Sequence, residues 1–279
     1  TTFCAPPTVW RLLILEDASA YKLSLRQVVS AGEPLNPEVI ASWKSTTGLI
    51  IRDGFGQTET TLMVGNLPGS EVKLGSMGKP MGCYEISIVD DNGSELPINE
   101  EGNIAVRLHA RPIGLFAGYI GDEERSRISF RGSYYYTGDR AYKDQEGRIW
   151  FVGRADDVIK SSDYRIGPFE VESVLLEHPA IKESAVVGSP DPLRGNEVKA
   201  FLVLKPGYEE SKELAKEIFD YSREKLAHYK APRLLEFTSE LPKTISGKIR
   251  RVELRGNEAE SKQRDERRMH EYSIRDFYQ

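Results

Sequence analysis

Cysteine, histidine and long apolar runs are all scarce in this sequence of 279 residues. Its two cysteines, Cys4 and Cys83, lie far apart and outside any CxxC spacing, and the four histidines are scattered singly. These counts argue against a disulfide framework and a structural zinc site, and they favour a reducing compartment. No apolar run approaches the length of a membrane span. We therefore expect a cytoplasmic protein, or a mitochondrial-matrix protein if the source is eukaryotic.

A large excess of basic residues is also missing. The net charge is −5, both signs are interspersed, and the densest basic run, Lys248 to Arg251, is short. This pattern predicts no nucleic-acid partner. Hydrophobic residues make up 39% and charged residues 29%, as in ordinary globular proteins, and the length allows two domains. The oligomeric state stays open.

The first 66 residues alternate helical and strand-like stretches. The residues from Pro7 to Asp17 predict a helix, and PEVIASWKSTT predicts another. LRQVVSAG and LIIRDGFG each predict a strand that runs into a turn. This alternation is typical of part of a parallel, doubly wound α/β sheet, in which ligands collect at the carboxyl ends of strands. Because such a sheet needs more strands than these residues supply, we expect the sequence to be a fragment.

The remaining residues predict two further units. Alternating apolar residues flank Asp-Asn-Gly in YEISIVDDNGSEL, and EGNIAVRLH and GRIWFVGR predict strands, so 67–153 should form a small antiparallel β subdomain. The later pattern of helices and strands predicts a compact α+β domain. Its mostly charged tail, from Gly256 to Gln279, predicts a solvated helix or arm. We thus expect a large domain over 1–153, divided after residue 66, and a small carboxy-terminal domain over 154–279.

Two segments carry candidate ligand-binding side chains. In DGFGQTET, Thr58 could donate to a phosphate, and Glu59 offers the hard oxygen that Mg²⁺ prefers. In YYYTGD, Asp139 follows a Thr-Gly turn and could accept both hydroxyls of a ribose. Taken alone, the first segment is more typical of a glycine turn before a helix, and Asp139 of an ordinary turn residue.

Two further segments are basic. GRADDVIKSSDYRIGP places Arg154, Lys160 and Arg165 among acids, and PKTISGKIRR presents Lys248 beside Gly247. The plainer interpretations are a charged hairpin at a domain junction and a surface loop. The Gly-Lys pair lacks the rest of a Walker phosphate loop, and neither GxGxxG nor GxSxG occurs.

Taken together, these segments resemble the later motifs of the adenylate-forming superfamily. SAGEPL, DGFGQTET, YYYTGD, FVGRADDVIKSSDYRIGPFEVE and PKTISGKIRR occur in that order and spacing, closest to acetyl- and medium-chain acyl-CoA synthetases. The resemblance covers nearly the whole chain. It implies a ligase that joins a carboxylic acid to CoA through an acyl-adenylate made from ATP, with Mg²⁺, releasing AMP and pyrophosphate. The family's phosphate loop lies upstream of these residues, so we expect the fragment alone to be inactive.

The resemblance also implies a role for particular residues. Glu59 would hold Mg²⁺, Lys248 would be the adenylation lysine, and Asp156 would be the hinge about which the small domain rotates between its two catalytic poses. Adenine and the α-phosphate would be bound by Gly32, Glu33, Pro34, Asp53, Gly54, Phe55, Gly56, Gln57 and Thr58, the ribose by Asp139 and Arg154, and the phosphates by Arg165. CoA would be bound by Ser162, Asp163, Tyr164, Arg194, Arg223 and Lys230, although each of these last three cations is equally typical of plain surface charge.

The sequence departs from the family at two positions. Asp163 stands where the family usually has glycine, and its charged side chain could obstruct the pantetheine thiol. Gly56 stands where acetyl-CoA synthetases carry a Trp that closes the acyl pocket, so a medium-chain or branched acid is expected. Two alternatives remain: an adenylation domain that loads a carrier protein, and a truncated, non-catalytic module that binds nucleotide or a partner.

Overall fold

A computed structural model describes residues 1–109, 111–245, 247–264 and 267–278. The chain divides into two compact units, one over Thr1–Asp156 and the other from Asp157 onward. None of the helices in these ranges has the length and apolar character needed to cross a bilayer.

The first unit opens with three parallel strands, β1 (Thr2–Ala5), β2 (Gln27–Ala31) and β3 (Ile51–Gln57), joined through helices α1 (Pro7–Leu13) and α2 (Pro37–Thr47). Helix α2 spans the predicted PEVIASWKSTT segment, because Pro37 fixes the first turn and Gly48 ends the helix in the left-handed conformation. Helix α1 ends before the predicted Asp17, which instead caps a 3₁₀ turn over Ala18–Ala20. The two helices share one core, in which the rings of Trp10 and Trp43 lie 4.9 Å apart edge to face.

Two antiparallel strands extend this sheet, β4 (Thr61–Gly65) and β5 (Lys79–Pro80), giving the order β1-β2-β3-β4-β5. The sequence analysis predicted a helix as the plainer continuation of DGFGQTET, and that is wrong: the chain turns back as a strand. Gly56 lies at the irregular register of this pair, and a Cβ there would lie 1.9 Å from the carbonyl oxygen of Thr61. Backbone packing therefore demands glycine at 56, independently of pocket depth.

The second sheet of the first unit is antiparallel, as predicted, with the order β10-β9-β7-β6. The Asp-Asn-Gly hairpin forms, since Leu96 N donates to Ile88 O at 2.9 Å and Asp90 N to Ser94 O at 2.9 Å. Its elements are β6 (Ile86–Val89), β7 (Gly102–Arg107), α3 (Glu123–Ser129), β8 (Phe130–Arg131), β9 (Tyr134–Lys143) and β10 (Ile149–Arg154).

The second unit is the predicted compact α+β domain. A two-stranded hairpin precedes a four-stranded sheet of order β13-β14-β15-β16, and helices α4 and α5 pack their apolar residues against it. The predicted α/β and α+β fold class is thus confirmed. The elements are β11 (Ile159–Ser161), β12 (Tyr164–Ile166), α4 (Pro168–Leu176), β13 (Ile181–Asp191), β14 (Gly195–Leu204), α5 (Lys212–Lys225), β15 (Leu234–Phe237), α6 (Arg251–Gln263) and β16 (Glu271–Ser273), followed by a 3₁₀ turn over Ile274–Asp276.

The charged tail is not a solvated arm, contrary to the prediction. Strand β16 pairs with β15, and Glu258 of α6 is fully buried. The Glu258 carboxylate lies 2.7 Å from the Nζ atom of Lys199, which is itself buried on β14. The Glu258 carboxylate can be buried because the Lys199 ammonium pairs with it inside the domain. Asp265, Glu266 and Gln279 of this predicted tail lie outside the described residues.

Candidate functional site

Side chains of DGFGQTET and YYYTGD meet in the first unit. The Gln57 Nε2 atom donates to Asp139 Oδ2 at 2.6 Å and to the Thr137 carbonyl oxygen at 2.8 Å. The Tyr135 hydroxyl donates to Gln57 Oε1 at 2.9 Å. Both ends of the Gln57 amide are therefore fixed, and residues about 80 positions apart along the chain form one polar cluster.

Asp139 is held by the backbone of β9. Gly138 adopts a φ of +77°, and the Asp139 amide donates to Thr137 Oγ1 at 3.1 Å. Arg154 of β10 is the cross-strand partner of Asp139 and places its Nη1 atom 3.8 Å from Oδ1. Asp139 thus lies inside a strand, nearly buried beside a cation, and the simple turn interpretation of this residue is wrong.

Glu59 lies in the turn between β3 and β4 together with exposed Thr58. The Tyr119 hydroxyl donates to Glu59 Oε1 at 2.9 Å, and burial, followed by this bond to Glu59, raises the pKa of Tyr119. Glu59 as a whole remains partly exposed. A carboxylate on such a residue fits Mg²⁺, because proteins often hold that ion through one or two carboxylates plus substrate phosphates.

Asp53 is a buried residue of β3, the strand that leads to Glu59. Burial raises its pKa well above the usual range, although the Gly54 amide donates to the carboxylate at 3.0 Å and opposes the shift. Asn66 donates to the Asp53 carbonyl oxygen at 3.0 Å and fixes the backbone. The raised pKa means that burial favours the neutral form of the Asp53 carboxyl more than water favours it for an exposed aspartate.

The predicted adenine wall, Gly32 to Pro34, follows β2. Gly32 has a φ of +99°, which glycine adopts readily. The Glu33 carboxylate accepts from Thr8 Oγ1 at 3.1 Å and pairs with Arg11 at 3.3 Å, so helix α1 anchors it. Phe55 packs half-buried against the core of the antiparallel sheet.

Lys248 lies in a closed loop of the second unit. The Thr244 amide donates to the Lys248 carbonyl oxygen at 2.8 Å, and the Lys248 amide donates to Thr244 Oγ1 at 3.1 Å. Gly247, with a φ of +86°, makes the turn, and Ser246 beside it lies outside the described residues. The Lys248 side chain is exposed and forms no ion pair with any residue that the structure describes. A tied backbone thus presents a solvent-facing ammonium.

The β11–β12 hairpin brings together part of the predicted CoA set. Ser162 has a φ of +51° at the hairpin tip, next to exposed Asp163, and its amide donates to the Arg194 carbonyl oxygen at 2.8 Å. The Tyr164 ring stacks on Tyr229 with 4.2 Å between centroids. Exposed Arg165 lies opposite Lys160 on the hairpin.

All three predicted CoA cations already have partners, and Arg194 Nη1 lies 3.6 Å from Glu197 Oε1. Lys230 Nζ pairs with Glu170 at 2.6 Å, and the Arg223 guanidinium lies 4.8 Å from the Tyr278 ring centroid. Asp156, the predicted hinge, is the last residue of the first unit and lies 3.3 Å from Arg154 Nε through its Oδ1 atom.

The sequence analysis missed Tyr119 and Tyr135. Alternation within YYYTGD could have indicated Tyr135, because Tyr134 and Tyr136 share one face of β9, packing with Val89, while Tyr135 points to the other face. Nothing in the local sequence around Tyr119 indicates its contact with Glu59, which comes from 60 positions away.

Comparison with known proteins places these motifs in context. Residues 1–120 match the family model of the AMP-binding enzyme, and residues 170–248 match that of the AMP-binding enzyme C-terminal domain. The chain is 60% identical to 4-hydroxybutyrate–CoA ligase 1 of Metallosphaera sedula over 98% of its own length and 48% of that protein. It is 53% identical to the human mitochondrial acyl-coenzyme A synthetase ACSM3 over 92% of its own length and 45% of that protein. The chain therefore spans about half the length of these curated relatives.

Solved structures of CoA ligases are similar to this chain in fold and in sequence. The anthranilate CoA ligase AuaEII, in complex with anthranoyl-AMP, matches with a TM-score of 0.87 and 41% identity over 94% of this chain and 51% of that one. A benzoate CoA ligase from Burkholderia xenovorans LB400 matches with a TM-score of 0.82 and 33% identity over 91% of this chain and 51% of that one. Both family models match the chain in the expected order, and the relatives are similar to nearly all of the chain. The chain therefore belongs to the AMP-binding, adenylate-forming enzymes and resembles their acyl-CoA synthetases.

Proposed function

We propose that this chain forms the carboxy-terminal half of an AMP-forming acyl-CoA ligase, which converts a carboxylic acid, ATP and CoA into acyl-CoA, AMP and pyrophosphate. The observation that carries the proposal is the Gln57–Asp139 hydrogen bond of 2.6 Å, with Arg154 beside it. It makes one polar cluster from two motifs whose family roles are to bind the nucleotide. The high identity to 4-hydroxybutyrate–CoA ligase 1 supports the same reaction class.

In this proposal the polar cluster binds the nucleotide. Asp139 accepts hydrogen bonds from the ribose hydroxyls, and the charge of Arg154 orients the Asp139 carboxylate. Residues from Gly32 to Pro34 and from Asp53 to Thr58 enclose adenine and the α-phosphate. Arg165 contacts the phosphates. Glu59 holds Mg²⁺, which would neutralise phosphate charge when bound.

Lys248 supplies the cation of the first half-reaction. Its exposed ammonium on a hydrogen-bonded loop suits the acyl carboxylate and the charge that develops at the α-phosphate. Asp156 acts as the hinge that separates the adenylating pose from the thioester-forming pose. The reaction needs no covalent enzyme intermediate, so positioning and electrostatics carry the catalysis.

The second half-reaction uses the β11–β12 hairpin. Ser162, Asp163 and Tyr164 lie exposed at its tip, held to the Arg194 backbone. Arg194, Arg223 and Lys230 provide cations for the CoA phosphates, and they must loosen from Glu197, Tyr278 and Glu170, respectively, to do so.

We further propose a medium-chain or branched acid as the substrate. The glycine that the backbone requires at 56 also leaves the acyl pocket without the Trp that closes it in acetyl-CoA synthetases. A protein of the reducing cytoplasm, or of the mitochondrial matrix in a eukaryote, agrees with the scarcity of cysteine.

The experiment that tests the proposal is ATP–pyrophosphate exchange by the full-length protein containing these residues, followed by thioester detection with CoA. Acid-dependent exchange and an acyl-CoA product are expected. Exchange without a thioester would contradict the ligase assignment and favour a carrier-loading domain. An absence of both would favour a non-catalytic nucleotide-binding module.

The substitution Asp163→Gly is expected to raise the rate of thioester formation by the full-length protein without changing pyrophosphate exchange. The physical reason is that it removes a negative charge and a side chain from the tip of the hairpin, where glycine would let the thiol approach the backbone. Steady-state thioester rates at varied CoA measure the effect, with Asp163→Asn separating charge from bulk. An unchanged rate in both variants would mean that the hairpin tolerates the acid.

The substitution Tyr135→Phe is expected to weaken ATP binding by the full-length protein by roughly tenfold, the effect of losing about one hydrogen bond. Without the Tyr135 hydroxyl, the Gln57 amide loses the donor that fixes its orientation toward Asp139. Calorimetric titration with ATP measures the change. Tyr134→Phe, on the opposite face of β9, is the matched control and should bind ATP as the wild type does. Equal affinities in all three proteins would contradict the role given to the cluster.

A further inference from the structure

Two arginines of α6 converge on Asp157. Arg255 Nη1 forms an ion pair with Asp157 Oδ1, and Arg251 Nη1 lies 4.0 Å from Oδ2. Positions 251 and 255 share a helix face because they are four residues apart. The Asp157 side chain is only 13% exposed and the two arginines 24% and 29%, so water screens these charges less than at an open surface.

The same helix face also binds Glu172 of α4. Arg251 donates to both Glu172 carboxylate oxygens, at 2.9 Å and 2.7 Å from Nη2. Glu172 is buried, and its Oε1 atom also accepts the Val186 amide of β13 at 2.8 Å. We name Asp157, Glu172, Arg251 and Arg255 the Asp157 clamp. The clamp joins the start of the second unit to α4, β13 and α6.

The amino-terminal end of α6, which carries both arginines of the clamp, directly follows the Lys248 loop. The helix begins at Arg251, and the Arg250 amide donates to the Pro242 carbonyl oxygen at 2.8 Å, which closes the Lys248 loop. Ile249 and Leu254 pack on the same apolar cluster. Only two residues, Ile249 and Arg250, separate Lys248 from Arg251 of the clamp. Ile249 is held by apolar packing and Arg250 by its backbone hydrogen bond.

We propose that Arg255 is a positioning residue for adenylation, acting through the Asp157 clamp to fix Lys248 relative to the point where the chain enters the second unit. This inference rests on the proposed function, since it requires Lys248 to act in the first half-reaction. Asp157 directly follows the proposed hinge residue Asp156. A rotation about Asp156 would therefore move the Lys248 loop together with Asp157, because the clamp joins Asp157 to the helix that follows this loop. Small misplacements matter, since a shift of about 1 Å can cost roughly a hundredfold in rate.

The test is Arg255→Gln in the full-length protein. We expect the rate of ATP–pyrophosphate exchange to fall roughly tenfold to a hundredfold. Thioester formation from supplied acyl-adenylate should stay within about twofold, because Lys248 takes no part in that step. In a Lys248→Ala background, Arg255→Gln should cause no additional loss of exchange, as expected when one residue acts through the other.

The control is Arg264→Gln near the end of the same helix, where an exposed arginine lies 3.8 Å from exposed Glu260. It should leave both half-reactions unchanged. Equal loss of both half-reactions in Arg255→Gln would overturn the inference in favour of a merely structural role, and unchanged exchange would overturn it outright. A wild-type protein without exchange would contradict the proposed function itself, which distinguishes the two failures.

Discussion

Replacing Lys248 with alanine is expected to lower ATP–pyrophosphate exchange by the full-length protein by roughly a hundredfold to a thousandfold, the usual effect of removing one preorganised charge donor from a reacting phosphate. The exposed ammonium on its hydrogen-bonded loop is the cation given to the acyl carboxylate and the α-phosphate. The fold should be unaffected, because the loop is closed by backbone bonds and by Thr244, which the substitution keeps. Exchange rates at saturating ATP and acid measure the effect.

Two comparisons make this result specific. Lys225→Ala removes another exposed lysine of the second unit and should leave exchange unchanged. The Lys248→Ala protein should still convert supplied acyl-adenylate and CoA into thioester. Unchanged exchange in Lys248→Ala would mean that the adenylation lysine has been assigned to the wrong position.

Replacing Lys199 with methionine is expected to lower the free energy of unfolding of the second unit by about 3–5 kcal/mol, the range for removing one partner of a buried ion pair. The Lys199 ammonium is fully buried and lies 2.7 Å from Glu236 and from Glu258, and it also pairs with Glu271. Methionine fills the volume but leaves three carboxylates without their central cation. Urea unfolding followed by far-ultraviolet circular dichroism measures the loss.

The loss should depend on pH. Burial alone would raise the pKa of Glu271, but the hydrogen bond and charge of Lys199 outweigh it, so its pKa is lowered. A carboxylate with a lowered folded pKa stabilises the fold above its unfolded pKa, and this contribution disappears as the pH falls through the folded value. The difference between wild type and Lys199→Met should therefore be largest near neutral pH and shrink as the pH falls below about 4.5.

The chain provides its own controls for this measurement. All three tryptophans, Trp10, Trp43 and Trp150, lie in the first unit, so tryptophan fluorescence should report an unchanged transition. Lys216→Met removes the cation of an exposed pair with Asp220 at 2.8 Å and should leave the urea midpoint of the second unit nearly unchanged, because solvent screens such pairs. Equal effects of Lys199→Met and Lys216→Met would contradict the importance of the buried cluster.

Local patterns determined much of this architecture. Helix α2 begins and ends where its proline and glycine predict, and the Asp-Asn-Gly hairpin forms where the sequence places it. These features depend on backbone preferences and apolar periodicity within a few residues, which the sequence records directly. The order of the motifs likewise sufficed to predict the family, which the matches of both family models confirm.

What the tertiary structure decided are the partners of the polar groups. Local sequence cannot indicate that Tyr135 fixes Gln57, that Arg255 holds Asp157, or that Glu258 meets Lys199. A charged helix such as α6 has the same sequence character whether water or a buried cation solvates it. Only the fold supplies the cation, from a strand 59 positions away, and so turns a tail predicted to be solvated into part of the core.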